Sequence, residues 1–215
     1  MNTDPTVFIV DDDDEVRAAI GLLMESVNLK VRSYDSAQAF LDDFDPERSG
    51  CLILDVRMRG MSGIELQTCL AAEPIHPPMV MITGHGDVPM AVRAVQAGAV
   101  DFLEKPFNDQ ALLDAVHRAF AVDARRRGHA IRLAEVNQRL ERLTRREREI
   151  LEQIVAGKRN KVIAADLQIS QSTVEAHRAK VMDKLGARSL SELMRLMLSH
   201  GATMGDPQEP SENPG

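Results

Sequence analysis

The chain has 215 residues, enough for one or two domains that each bury a core of their own. Its net charge of −7 divides unevenly: residues 1–123 carry −12 and residues 124–215 carry +5, so an acidic domain is expected to precede a basic one that contacts nucleic acid. Tryptophan is absent and aromatic residues make up 3%, which argues against base stacking on aromatic platforms, and no apolar run approaches the ~20 residues of a membrane span.

The first apolar run, Val7–Val10, reads as a strand, followed by a helix from about Asp14 to Val27 with Val16, Ile20, Leu23 and Val27 at three- and four-residue steps. A second strand, Lys30–Tyr34, leads into a helix capped by Asp35 or Ser36 and ending near Phe44. A third, Cys51–Leu54, precedes a Gly60–Gly63 loop and a helix from Ile64 to about Leu70. The fourth, Met79–Thr83, is followed by a helix over Val88–Ala97; Val100–Glu104 forms the fifth strand and Asp109–Ala121 the next helix. Short runs of Val, Ile, Leu and Met spaced by helical patterns are the mark of buried parallel strands in βα units, so a doubly wound α/β fold is expected. No secretory leader pattern is found in Met1–Val10, so the chain is expected to be cytoplasmic, with Cys51 and Cys69 as small buried hydrophobes rather than a disulfide.

Beyond Asp123 the character changes. Leu133, Val136, Leu140 and Leu143 fall at steps of three, four and three, a short a/d seam that suits either a dimeric coiled coil or packing on the chain's own domains. Gly128 is the only breaker nearby, so the Asp109 helix can continue into this linker. Thr144 and Glu147 spell a capping box that starts a helix over Arg145–Ala156, and Gly157 stops it. Asn160 is expected to cap Lys161–Leu167; after the turn Gln168–Ser170 come helices from Gln171 to Leu185 and from Ser189 to Ser199. Two helices joined by a short turn, the second longer and more basic, form a helix-turn-helix pattern. Residues 201–215, rich in Pro, Glu, Ser and Gly, are expected to be a disordered tail.

The strand ends carry the chemistry. Val7–Val10 runs into Asp11 and Asp12, Cys51–Leu54 into Asp55, Met79–Ile82 into Thr83, and Phe102-Leu103 into Lys105 and Pro106. In an open parallel sheet the carboxyl ends of the strands gather at one edge, where ligands bind. Three carboxylates there would repel one another without a cation, and hard oxygen donors with room for water suit Mg2+. Asp55 is then a carboxylate nucleophile for a phosphoryl group; Lys105 supplies positive charge and Thr83 a hydroxyl donor. Lys105–Pro106 is a candidate cis bond. Asp13 and Asp14 suit a helix N-terminus and are given no metal role.

Val10–Asp12, Leu54–Met58, Ile82–Val92 and Phe102–Phe107 resemble the receiver domain of two-component response regulators, with Thr83–Phe107 similar to the FixJ/StyR type. The resemblance implies a five-stranded sheet in the order 2-1-3-4-5, Asp55 as phosphoacceptor, and Mg2+ held by Asp11, Asp12, Asp55 and the Arg57 carbonyl. It also implies Thr83 and Phe102 as a switch pair, and a dimer surface with Val88, Val92, Arg93 and Asp101. One position departs: receivers usually carry proline where Arg59 stands, and proline stiffens that loop through its fixed φ.

Residues 143–197 resemble the LuxR/NarL-type DNA-binding domain, through Leu143–Leu151, Asn160-Lys161, Ile163-Ala164, Ser172–Glu175, His177-Arg178, Lys184-Leu185 and Ala187–Leu190. This implies an all-α, four-helix helix-turn-helix domain after the receiver. Ile150, Leu151, Ile163, Leu167, Val174, Val181 and Leu185 are its expected core, and Gln171–Lys184 its recognition helix. Glu175, Ala176 and Ala179 are positioned for base edges. Lys158, Lys161, Arg178, Lys180 and Lys184 read as phosphate contacts; Asn160 and Thr173 join the candidate DNA-binding set, with His177 and Arg188 suited equally to phosphate contact or to hydrogen bonds within the domain.

The expected whole is a transcriptional regulator rather than an enzyme, with a receiver over 1–123, a linker over 124–142 and a DNA-binding domain over 143–200. Its expected partners are a sensor histidine kinase, promoter DNA, a second copy on phosphorylation and RNA polymerase. Two rivals stand beside it. A phosphate-processing enzyme on the same fold lacks a Gly-rich phosphate loop, because Asp11–Asp14 occupy its place. The other is a DNA-binding protein whose receiver no longer signals by phosphate.

Overall fold

A computed structural model of the chain describes residues 4–73, 75–84 and 88–204, without the side chains of Val88, Met90 and residues 199–204. The chain divides into two compact units, Met1–Gly128 and His129–Gly215.

The first unit contains β1 (Thr6–Val10), α1 (Asp14–Ser26), β2 (Lys30–Tyr34), α2 (Ala37–Asp43), β3 (Gly50–Asp55), α3 (Gly63–Ala71), β4 (Met79–Thr83), α4 (Val88–Gln96) and β5 (Asp101–Glu104). It also holds the start of α5, a helix of 33 residues over Asp109–Glu141. The sheet is all parallel in the order β2-β1-β3-β4-β5. Central strands β3 and β4 are buried at every position, whereas edge strand β2 has only half-buried and exposed residues, as the loss of one neighbour dictates.

Alternation along the strands divides the apolar side chains between two layers. Phe8, Val10, Leu52, Leu54, Met79 and Met81 pack against Ala37 and Phe40 of α2, Leu66 and Leu70 of α3 and Ala94 of α4. Val7, Ile9, Cys51, Ile53, Val80 and Ile82 pack against Ile20 and Met24 of α1 and Leu112, Ala115, Val116 and Ala119 of α5. Each large side chain so buried contributes about 1.5–3 kcal/mol. Cys51 is buried as expected; Cys69 is exposed, on the outer face of α3.

At the opposite edge from the strand ends, α5 is tied to the start of β3 by a buried carboxylate. Asp123 accepts from Ser49 Oγ at 2.7 Å, from the Gly50 N–H at 3.0 Å and from Arg127 Nε at 3.0 Å. Arg127 in turn donates to the Arg48 carbonyl at 2.6 Å. Both oxygens of the buried carboxylate therefore have a donor. The helix does not stop at Ala121 but passes through Gly128, because a lone glycine costs only about 1 kcal/mol in a helix.

The second unit contains the end of α5 with α6 (Arg145–Val155), α7 (Asn160–Asp166), α8 (Gln171–Leu185) and α9 (Leu190–Met204). Its core holds Leu143, Ile150, Leu151, Ile154, Ile163, Val174, Val181, Leu185 and Leu193, with Leu140 and Leu167 half-buried against it. Leu140 and Leu143, the end of the linker seam, thus pack on their own unit. The Thr144–Glu147 capping box is present. Arg159, not Asn160, is the N-cap of α7, and no side chain caps it; the Asn160 amide is drawn instead toward Glu175 of α8, 3.5 Å away. Helix α9 runs past Ser199 to Met204, through the first residues expected in the tail, since Gly201 alone does not end it. The rest of that tail, residues 205–215, lies outside the described residues.

Candidate functional site

Parallel registration brings the strand ends together. Val10 is opposite Leu54, Asp55 opposite Ile82 and Thr83 opposite Glu104, so Asp11, Asp12, Asp55, Thr83 and Lys105 all emerge at one sheet edge. Ligand oxygens of Asp11, Asp12 and Asp55 lie within 4.8 Å of one another, a hard-oxygen donor set suited to a divalent cation. Asp11 and Asp55 are buried, and Asp12 forms the open rim.

The Lys105 ammonium bridges the two buried carboxylates, 2.7 Å from Asp11 Oδ2 and 2.8 Å from Asp55 Oδ1. Asp55 Oδ2 accepts the Arg57 N–H at 2.8 Å, and Asp11 Oδ1 accepts the Asp13 N–H at 2.9 Å. Burial pushes the Asp55 carboxyl above its ordinary value; Lys105 opposes this, the charge of Asp11 adds to it, and the Arg57 N–H opposes it. Burial also pulls on the Lys105 ammonium, but its hydrogen bonds to Asp11 and Asp55 hold its pKa above the ordinary lysine value. The site is thus a buried carboxylate held at fixed orientation beside an ammonium and a cluster of hard oxygen donors.

Local structure supports each part. The Lys105 N–H donates to the Thr83 carbonyl at 2.7 Å, and the Lys105–Pro106 bond is cis. Thr83 is buried at the end of β4; Phe102 is half-buried against the layer that contains Met81 and Ala94. Asp13 caps α1 through the Glu15 and Val16 N–H groups, in keeping with a structural role. Gly63 is required where α3 starts, because a Cβ there would lie 2.2 Å from the Asp55 carbonyl oxygen. Sequence reading missed this close approach, and it missed Arg17, whose guanidinium donates to the Asp11 carbonyl at 2.6 Å. Spacing of glycine eight residues after Asp55 was the one available signal for the first; nothing local signals the second.

On the proposed dimer surface, Val92 and Arg93 are exposed on α4, while Asp101 is engaged by Arg118 of α5 and accepts its neighbour's N–H. The side chain of Val88 lies outside the description.

In the helical unit, α8 follows α7 through a turn with Gln168 at φ 54°, and Ser170 caps it by accepting the Thr173 N–H. Glu175, Ala176, Ala179 and Lys180 are exposed on α8; Thr173, His177 and Arg178 are half-buried. Among the described residues, Lys161, Arg178, Lys180 and Arg188 have no carboxylate within ion-pairing distance, whereas Lys158 pairs with Asp166 at 2.8 Å. The Nδ1 of His177 is buried with no hydrogen-bond partner among the described residues.

Lys184, like Lys158, already has a carboxylate partner. Its ammonium donates to Glu147 Oε2 at 2.6 Å and to the Arg142 carbonyl at 3.1 Å. The capping-box carboxylate is buried and takes this half-buried lysine as counterion. The hydrogen bond from Lys184 and the Thr144 N–H hold the Glu147 carboxyl down at about 2.

Comparison with known proteins agrees with this geometry. The family model for the response regulator receiver domain matches residues 7–117, and that for bacterial regulatory proteins of the luxR family matches residues 141–197. Transcriptional regulatory protein FixJ of Azorhizobium caulinodans is 46% identical over 205 residues, covering 95% of this chain and 97% of the relative. FixJ of Rhizobium meliloti is 45% identical, covering 93% and 98%. The solved structure of the response regulator StyR aligns with a TM-score of 0.81 at 46% identity, over 91% of this chain and 98% of that one. No helix among the described residues is long and apolar enough to cross a membrane. The chain therefore belongs to the response regulators that join a receiver to a luxR-family DNA-binding domain, and it is a phosphorylation-activated transcriptional regulator of a two-component system.

Proposed function

We propose that Asp55 is the phosphoacceptor and that a sensor histidine kinase is its donor. The observation that carries this is the Lys105 ammonium bridging Asp11 and Asp55 beside a third carboxylate. A carboxylate oxygen of Asp55 attacks phosphorus, the bond from phosphorus to the donor's imidazole nitrogen breaks, and the imidazole leaves with the electron pair. Asp11, Asp12, Asp55 and the Arg57 carbonyl would hold Mg2+. When bound there, such an ion would neutralise charge on the transferring oxygens. Lys105 stabilises the phosphoryl oxygens from the other side, aligned by Pro106, and Thr83 donates its hydroxyl, with the Phe102 ring turning in behind it.

Receiver 1–123 then drives dimerisation through Val88, Val92, Arg93 and Asp101, and linker 124–142 passes the change to DNA-binding domain 143–200. A free-energy difference of about 2–3 kcal/mol between the two receiver states is enough to shift the population by a factor of about a hundred. On promoter DNA, Lys161, Arg178, Lys180 and Arg188 meet phosphates, with Lys158, Asn160, Thr173 and His177 beside them, and Glu175, Ala176 and Ala179 face base edges. RNA polymerase is the further partner this role calls for, in the cytoplasm where promoter and kinase domain are found.

Solution mass tests the scheme. With Mg2+ and fluoroberyllate, a phosphoryl mimic, the chain of 23.8 kDa should double in mass, and Asp55→Asn should remain a monomer. A monomer in both states, on DNA as well as free, would remove dimerisation from the scheme.

A further inference from the structure

We propose that Arg59 sets the cation affinity of the acidic pocket by competing for Asp12. The inference rests on the reading that Asp11, Asp12 and Asp55 hold Mg2+. Asp12 is the most accessible of the three, with its side chain 27% exposed, so a cation entering from solvent meets it first. Its Oδ2 already has two contacts from one residue: it accepts the Arg59 N–H at 3.3 Å and is ion-paired with the Arg59 guanidinium, whose Nε lies 3.5 Å away. Among the described residues Arg59 has no other ion-pair partner, and its side chain is 94% exposed, so nothing else holds it over the pocket.

A hard cation needs the oxygen that the N–H and the guanidinium already engage, and binding must displace them. The guanidinium also adds a positive charge beside the path of an incoming cation. Proline, usual at this position in the receivers this chain resembles, can do neither: it has no N–H and no charge. The other donors in the pocket differ in kind. Lys105, Arg57 N–H and Asp13 N–H hold buried oxygens of Asp55 and Asp11 and belong to the frame of the site. Arg59 acts at the rim, on one ligand, through a contact that solvent and salt can reach. It is a positioning residue, and the pocket it guards demands more cation for the same occupancy.

Calorimetric titration of the full chain with MgCl2 tests this with four proteins: wild type, Arg59→Ala, Arg59→Pro and Asp12→Asn. Ala keeps the N–H and loses the guanidinium, so its affinity should rise about threefold at low ionic strength, the range of an exposed ion pair. That gain should shrink toward nothing near 0.5 M salt, where the Debye length is roughly 4 Å. Pro loses the N–H as well as the guanidinium and should bind about twofold tighter again, with that part independent of salt. Unchanged affinity in Arg59→Ala at low salt overturns the proposal, whether or not the proline variant folds. Failure of wild type to bind Mg2+, or Asp12→Asn binding as wild type does, overturns the Mg2+ reading itself and the proposal with it.

Discussion

Among the described residues Lys105 brings the one ammonium to the acidic pocket, and Lys105→Met removes it while keeping most of the side-chain volume. Two charge-assisted hydrogen bonds, at 2.7 and 2.8 Å, disappear, and the carboxylates left behind are 1% and 6% exposed. Breaking a buried pair by deleting one partner costs about 3–5 kcal/mol. The lysine side chain is itself 21% exposed, and water can partly replace it, so the lower end applies. About 3 kcal/mol in a unit of this size corresponds to a fall of roughly 10 °C in the melting temperature. Scanning calorimetry of the full chain in EDTA at neutral pH measures it as a shift of the receiver transition. The pH dependence has a fixed sign. Asp55 already has a folded pKa above its unfolded value, so its contribution to stability is fully present below the unfolded pKa and is lost as pH rises through the folded one. Without Lys105 the Asp55 pKa rises further, so the deficit must narrow as the solution is acidified. Saturating Mg2+ must narrow it too, by linkage. A variant as stable as wild type in EDTA at neutral pH, or one whose deficit widens on acidification, would refute the electrostatic account of the pocket.

Glu147 behaves in the opposite sense. Its folded pKa is held at about 2 against an ordinary 4.5, so it stabilises the helical unit above the ordinary value and that stability is lost as pH falls through about 2. Lys184→Met should therefore cost about 2 kcal/mol at neutral pH and flatten the acid limb of the unfolding curve, measured by circular dichroism. In DNA binding, Lys161→Ala should weaken all sequences alike and reduce the salt slope by about one, read by fluorescence anisotropy across a salt series. Glu175→Gln should alter base preference at one position of the site by about 1–3 kcal/mol, with the salt slope unchanged.

The receiver was legible because its signals are dense. Fully buried strands such as β3 and β4 have to be unbroken apolar runs, and the polar residue ending each run is then placed at one edge by the parallel register. Asp11, Asp12, Asp55, Thr83 and Lys105 needed no more than that to be grouped. What escaped depends on contacts distant in sequence. Asp123 reads as a surface acid in a helix until Ser49 and Gly50 are seen to donate to it across more than 70 positions. Lys184 reads as one more cation of a basic helix until Glu147, 37 positions earlier, proves to be buried beneath it. Asn160 has the right chemistry for a cap but falls one residue inside the helix, where α8 rather than the α7 terminus offers it a partner. Cys69 was assigned inward from residue type alone, and the helix turns it out.

Phosphoryl uptake at Asp55 tests the central claim most directly. The full chain is incubated with Mg2+ and a radiolabelled acyl phosphate, and incorporated label is counted before and after hydroxylamine, which cleaves acyl phosphates. The account predicts Mg2+-dependent labelling of wild type approaching one phosphoryl group per chain, released by hydroxylamine, and no labelling of Asp55→Asn. Label retained in Asp55→Asn, or label resistant to hydroxylamine, would contradict it.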